Sequence, residues 1–286
     1  MQGKPIRRGC ISGKVLRVCP ETPVSIRAIR SFIMDLTNQI TIVGIHSVRA
    51  MLTHGDEGVL EVWLEDQRRD RRLAELAELA QRMGVAVRRV TRDGLDGAAE
   101  GAHHQGVLAW VRTPAARGEA DLDTIFDNTQ GPPLLLILDG VQDPHNLGAC
   151  LRTADAAGVQ ALIAPKDKAV GLTAVACKVA SGAARTVPYV RVTNLSRTIA
   201  GLKARGIWLI GTAGEAGADL FGTDLTGPLA LALGGEGKGL RRLTRERCDL
   251  LVRLPMLGTV ESLNVSVATG ICLYETLRQR RDSNPG

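Results

Sequence analysis

Asn146, Arg152, Glu236, Ser262 and Asn264 are the side chains in this sequence whose types and settings best suit chemistry. They fall in three polar segments. The first runs Asp139-Gly140-Val141-Gln142-Asp143-Pro144-His145-Asn146 and on to Arg152. The second is Gly234-Gly235-Glu236-Gly237-Lys238-Gly239, and the third is Ser262-Leu263-Asn264-Val265-Ser266. Each follows a short apolar run and precedes a helical pattern, the layout by which α/β proteins build ligand sites at the carboxyl ends of parallel strands. In the first, Pro144 fixes the backbone at the turn, and free N–H groups at a helix start favour an anion. Asn146 can donate and accept there, and Arg152 can grip a phosphate by a two-pronged contact. In the second, glycines let the chain bend sharply and let a ligand come close. The third reads as a rim of polar side chains beside a cofactor.

Each segment also admits a plainer reading. Asn146 can be a helix cap, with Arg152 paired to Asp155 one turn on; Glu236 can be solvated on a flexible turn; Ser262 or Asn264 can cap the last helix. Two phosphate motifs fail. A P-loop needs a glycine where Ala232 stands and Ser or Thr where Gly239 stands, and a dinucleotide fingerprint counted from Gly235 meets Leu240 in place of its last glycine. Thr212-Ala213-Gly214-Glu215 follows another apolar run and is either a cofactor-facing strand end or an ordinary turn. His103, His104 and His145 read as loop or surface histidines. No Ser-His-Asp order and no metal-ligand spacing is evident, which leaves hydrolase and metalloenzyme readings unsupported.

The elements that must position these residues alternate from Leu134 onward. Strands are expected near 134–139, 160–164, 188–191, 207–211, 229–233 and 250–254, and helices near 147–157, 171–181, 194–204, 240–247 and 264–280. The strands are nearly all apolar, as in a parallel sheet buried on both faces, so the fold class is α/β. Residues 40–113 read as a smaller α/β unit, with strands at 40–43, 59–64, 85–90 and 106–111. Between them, Leu73, Leu76, Ala77 and Ala80 at helical spacing predict a helix over 70–83. Residues 114–133, with Pro114, acidic Glu119, Asp121 and Asp123, and Gly131-Pro132-Pro133, read as a linker. Residues 1–39 read as a disordered extension, or as the product of an upstream start with Met34 as the true initiator.

The bulk numbers fit a globular chain of 286 residues with 44% apolar content and only 3% aromatics, so the core must be Leu, Val, Ile and Ala. The net charge is +6, of which residues 1–40 hold +5. A second basic stretch, 151–200, can hold phosphates or be part of a mixed solvated surface. No run approaches the roughly 18 apolar residues of a membrane span. Cys10, Cys19, Cys150, Cys177, Cys248 and Cys272 form no C-x-x-C pair, which argues against zinc and for a reducing cytoplasm.

The order and content of the three segments resemble the signature of the knotted SPOUT methyltransferases, in the TrmH-like branch that methylates ribose 2′-hydroxyls in RNA. The resemblance spans 134–280. Val43-Gly44-Ile45-His46-Ser47-Val48 and His104-Gln105-Gly106-Val107 are similar to the ends of the L30e-like RNA substrate-binding domain that precedes it in this family, which extends the resemblance to about 40–280. The resemblance implies a deep trefoil knot within 134–286 and S-adenosyl-L-methionine as cofactor, held near Thr212, Ala213, Gly234, Gly237, Leu254, Met256 and Leu263. It implies catalytic or RNA-contacting roles for Asn146, Arg152, Glu236, Ser262 and Asn264, with no metal. The implied partners are large-subunit rRNA and a second copy of the chain, the target being a guanosine ribose of 23S rRNA in the peptidyl-transferase region. Val265, Val267, Ile271, Leu273 and Leu277 on the last helix are the candidate dimer surface, though core packing explains them equally well. Glu236 is expected to fix Arg152 or Asn146. The alternatives are a tRNA ribose 2′-O-methyltransferase and a non-catalytic RNA-binding ribosome-assembly protein on the same fold.

Overall fold

A computed structural model describes residues 39–53, 58–68 and 70–283. The expectations for the amino-terminal extension therefore lie outside the described residues, apart from residue 39.

The amino-terminal unit runs β1 (Gln39–Val43), α1 (Ile45–Thr53), β2 (Val59–Glu65), α2 (Arg71–Arg82), β3 (Ala86–Val90), α3 (Arg92–Ala99) and β4 (Val107–Arg112). Its strands form one sheet in the order β1-β4-β2-β3, with β4 antiparallel to both neighbours and β3 parallel to β2. Helix α2 forms where the apolar spacing predicts it. Asp70 caps it by accepting from the Arg72 N–H at 3.0 Å, and Leu73, Leu76 and Ala80 face the core. Helix α3 was not legible in the sequence. Gly94 and Gly97 lie inside it, each costing about 1 kcal/mol against alanine. The Thr91 cap and burial of Leu95 and Ala99 beside Leu108 offset that cost.

The two family-like segments at the ends of this unit meet. The Gly44 N–H donates to the Val107 carbonyl, and the Ile45 N–H donates to Gln105 Oε1 at 3.1 Å, which caps α1. His104 is buried; its Nδ1 accepts from the Gly106 N–H, so its Nε2 carries the proton toward Asp96 at 3.0 Å. This histidine lies in a loop, as one of the two expected settings had it, but is a buried structural strut rather than a surface residue.

The rest of the chain runs α4 (Asp121–Asp127), β5 (Leu134–Asp139), α5 (Pro144–Ala156), β6 (Ala161–Pro165), α6 (Ala174–Ala180), α7 (Ala183–Thr186), β7 (Tyr189–Val192), α8 (Leu195–Ala204), β8 (Trp208–Thr212), β9 (Ala218–Asp219), β10 (Leu229–Gly234), α9 (Arg242–Arg247), β11 (Leu250–Arg253) and α10 (Val265–Ser283). The seven strands form one parallel sheet in the order β7-β6-β5-β10-β8-β11-β9. Alternate residues of β5 and β10 enter cores on opposite faces: Leu134, Leu136 and Leu138 on one side, Leu135 and Ile137 on the other. Each such leucine contributes about 1.5–3 kcal/mol of burial. The central strands are thus rigid, and the loops at their ends start from fixed points.

Two stretches differ from expectation. Helix α4 stands inside the segment read as a linker. Its first turn carries Asp121 and Asp123, which favour a helix start, and it buries Leu122 and Ile125. The helix expected over 171–181 is shorter: Thr173 caps it, so it starts at Ala174, and the left-handed backbone of Ser181 and Gly182 ends it before α7.

Candidate active site

Strands β5, β10, β8 and β11 are parallel neighbours, so their carboxyl ends share one edge of the sheet. The first segment leaves β5, the second leaves β10, and the third is reached from β11. Their polar side chains converge. Asn146 Nδ2 donates to Glu236 Oε1. Asn264 Nδ2 donates to Asn146 Oδ1 at 3.0 Å and lies 3.3 Å from Glu236 Oε1. Residues separated by up to 118 positions thus share one hydrogen-bonded cluster.

The cluster decides between the readings of each residue. Asp143, not Asn146, caps α5, accepting from the His145 N–H at 2.8 Å; the helix begins at Pro144, earlier than expected. Asn146 is therefore free of capping and is buried with its amide on Glu236. Asn264 does both jobs: its Oδ1 accepts from the Ser266 N–H at 2.9 Å at the start of α10, while its Nδ2 joins the cluster. Glu236 holds Asn146 and Asn264 rather than Arg152.

The loop carrying Glu236 is clamped at both ends by one residue that the sequence reading gave no role. The Gly235 N–H donates to the Asp139 carbonyl at 3.1 Å, and the Arg241 N–H donates to Asp139 Oδ2 at 2.9 Å. Arg241 Nε lies 3.3 Å from the other oxygen of this fully buried carboxylate. The sequence signal was present: Asp139 is the one charged residue ending the apolar run of β5, and a buried charge needs a partner. The glycines have a steric reason too. A Cβ on Gly234 would sit 1.9 Å from the Gly239 carbonyl carbon, and one on Gly235 would sit 2.4 Å from the Gly140 oxygen.

Arg152 and Ser262 stand outside the cluster. Arg152 lies six residues past Asn146, about 9 Å further along the helix axis. It is exposed, with Nη1 3.5 Å from Ser181 Oγ, and Asp155 is engaged by Thr186 instead. Its guanidinium is therefore open to an incoming anion. Ser262 is exposed on the loop before α10 and makes no hydrogen bond to the cluster among the described residues.

The residues implied for a cofactor sit at three adjacent strand ends. Thr212 closes β8 with its hydroxyl 3.5 Å from the Ala232 carbonyl, and the Ala213 N–H donates to the Val252 carbonyl of β11. Gly234 ends β10. Gly237 adopts left-handed backbone, with open space where a side chain would go. Leu254 and Met256 are half-buried on the loop after β11, with Leu263 37% and Leu257 98% exposed. This edge suits a ligand held by main-chain atoms and covered by apolar side chains. Glu215, further along the β8 loop, has its carboxyl held below the usual range by a backbone hydrogen bond and then by its pairing with Arg245.

Among the described residues no three His, Cys, Asp or Glu side chains gather as metal ligands. Burial pushes the thiols of Cys150, Cys177 and Cys248 up to about 11, so none is a ready nucleophile near neutrality. No helix among the described residues is long and apolar enough to cross a membrane.

Residues 133–274 match the SpoU rRNA Methylase family, and residues 41–116 match the family described as RNA 2'-O ribose methyltransferase substrate binding. The 23S rRNA (guanosine-2'-O-)-methyltransferase RlmB of Shewanella oneidensis is 56% identical over 246 residues, covering 86% of this chain and 100% of that protein. The enzyme of the same name from Pasteurella multocida is 57% identical over 240 residues, covering 84% of this chain and 98% of that one. The crystal structure of the SpoU methyltransferase AviRb from Streptomyces viridochromogenes in complex with AdoMet matches with a TM-score of 0.70 at 26% identity, covering 91% of this chain and 96% of that one. By two domain matches in the expected order and by identity above one half along most of its length, the chain belongs to the SpoU family of rRNA methylases.

Proposed function

We propose that this protein transfers the methyl group of S-adenosylmethionine to the ribose 2′-hydroxyl of a guanosine in 23S rRNA. The observation that carries the reading is the union of Asn146, Glu236 and Asn264 from three segments at one sheet edge. It occurs in a chain 56% identical to a 23S rRNA (guanosine-2'-O-)-methyltransferase.

The residues at the β8, β10 and β11 ends fit the cofactor: main chain at Thr212, Ala213, Gly234 and Gly237, and apolar cover from Leu254, Met256 and Leu263. When bound, S-adenosylmethionine supplies an electrophilic methyl group on a sulfonium sulfur. The protein's own task is alignment, which can account for a large share of such a barrier. Arg152 grips the phosphate next to the target ribose and stabilises the charge developing on its 2′-oxygen. Arginine stays protonated, so the hydroxyl proton passes to a phosphate oxygen or another acceptor rather than to Arg152. Glu236 fixes the amides of Asn146 and Asn264, which orient the ribose, and Ser262 contributes to the polar rim. A splayed-out nucleotide of an RNA loop can reach such a site.

The same reading carries a deep trefoil knot within 134–286, supported by a sheet in which β10 lies between β5 and β8, and β11 between β8 and β9. It also carries a cytoplasmic homodimer in which Arg152 serves the partner's cofactor. Of the residues expected at that interface, Val265 and Leu273 face the core, Ile271 and Leu277 are partly buried, and Val267 is 51% exposed.

The test uses tritiated S-adenosylmethionine with total RNA that contains tRNA and 23S rRNA lacking the modification. Label that resists alkali and maps to one guanosine, in the peptidyl-transferase region, is the expected result. Label on tRNA only, or no label, overturns the reading.

A further inference from the structure

Residues 151–200 hold seven basic side chains against two acids, Asp155 and Asp167. Several bases elsewhere rest on acids, as Arg88 does on Glu61, Lys203 on Asp249 and Arg278 on Glu275. Among the described residues, Arg152, Lys166, Lys168, Lys178, Arg191 and Arg197 form no ion pair. Three of them share the carboxyl edge of the sheet with the active site. Lys166 and Lys168 are exposed on the loop after β6, and Arg191 lies on β7. They occupy the half of the edge that runs β5-β6-β7, away from the strand ends suited to the cofactor.

The loop is held in place against the catalytic segments. The Val170 N–H donates to the Val141 carbonyl at 2.9 Å, and Arg241 Nη2 donates to the Asp167 carbonyl at 3.0 Å. Arg191 Nη2 donates to the Lys166 carbonyl at 2.6 Å, and the Tyr189 hydroxyl to the Val170 carbonyl at 2.5 Å. Main-chain anchors thus fix the backbone while leaving both lysine ammonium groups to solvent. Unpaired cations on a preorganised loop fit a polyanion crossing the edge.

We propose that Lys166, Lys168 and Arg191 bind the sugar-phosphate backbone of the RNA strand flanking the methylated nucleotide. The proposal rests on the RNA-methyltransferase reading above. The reacting sugar lies over Asn146, and the flank runs outward over β6 and β7.

The experiment measures binding of a 23S rRNA fragment containing the mapped site, as a function of salt, to the full chain and to Lys166→Gln/Lys168→Asn. Asparagine suits position 168, whose φ is +57°. Losing two phosphate contacts on a single strand should flatten the slope of log K against log salt by about 1.4. Arg247→Ser/Arg281→Ser removes equal charge from exposed residues near the opposite edge, before β11 and beside the Arg280 contact to Pro132, and is expected to keep the full slope. An unchanged slope in the lysine variant, or equal flattening in the control, overturns the proposal. Methyl transfer by the unaltered chain separates the cases: if it transfers and the slopes agree, only the phosphate track fails, whereas absent transfer removes the functional reading beneath it.

Discussion

Asn264→Asp isolates the cluster from the fold. Aspartate caps a helix as well as asparagine does, so the acceptor that serves the Ser266 N–H at 2.9 Å survives. What changes is the other atom. The amide nitrogen that donates to Asn146 Oδ1 at 3.0 Å and lies 3.3 Å from Glu236 Oε1 becomes a carboxylate oxygen. Two unit charges at that second separation repel by about 5 kcal/mol at an effective dielectric of 20 and about 1 kcal/mol in bulk water. Because Asn264 is exposed, the outcome lies between, at about 2–3 kcal/mol once the lost hydrogen bonds are included. That corresponds to a rate lowered by about 30- to 150-fold. Repulsion raises the pKa of the new carboxylate pair, so the penalty is full above the raised value and relieved as pH falls through it. Methyl transfer should therefore be measured at pH 8 and pH 6 beside a melting curve. The variant-to-native ratio is expected to be lowest at the higher pH, with melting little changed. A variant within about threefold of the native rate at both pH values would refute the argument that these donors set the site.

Further substitutions test the parts separately. Arg152→Lys keeps the charge but loses the planar fork, and turnover is expected to fall at least about tenfold while calorimetric cofactor uptake stays the same; retained turnover would rule out the two-pronged grip. Gly148→Ala places a Cβ 2.5 Å from the Ala176 carbonyl oxygen and 2.7 Å from Val179 Cβ, so α5 and α6 must separate. Overpacking of about 1–3 kcal/mol should lower the melting temperature by several degrees. Gly201→Ala in α8 meets nothing within 4 Å, and its expected effect is neutral or stabilising by up to about 1 kcal/mol. Asp70, held down to about 2 mainly by its hydrogen bond from the Arg72 side chain, stabilises α2 above its ordinary value near 4 and loses that contribution as pH falls through about 2. Comparing melting of Asp70→Asn with the native chain at pH 7 and pH 2.5 should show a gap that narrows in acid.

The parallel sheet was legible because its strands are short, mostly apolar runs, and all six expected strands of that domain form within one or two residues of their expected bounds. Helix α3 was not, because its glycines give poor local propensity and only the packing of Leu95 reveals it. Helix α4 was hidden by acids that resemble a solvated linker but in fact favour a helix start. At the site, the residue types pointed to Asn146, Glu236 and Asn264, yet which side chain would hold which was open. The answer depends on pairings across as many as 118 positions, which no local pattern encodes. Asp139 was overlooked for a related reason: its partner, Arg241, lies on another segment and reads locally as a surface base.

Calorimetric titration of the purified chain with S-adenosylmethionine tests the central claim most directly. The account expects saturable uptake approaching one molecule per chain. That uptake should be abolished by Gly237→Val, which fills the open space beside the β10 end and strains its left-handed backbone. Heat of binding that is absent from the native chain, with and without RNA, or that persists undiminished in Gly237→Val, would contradict it.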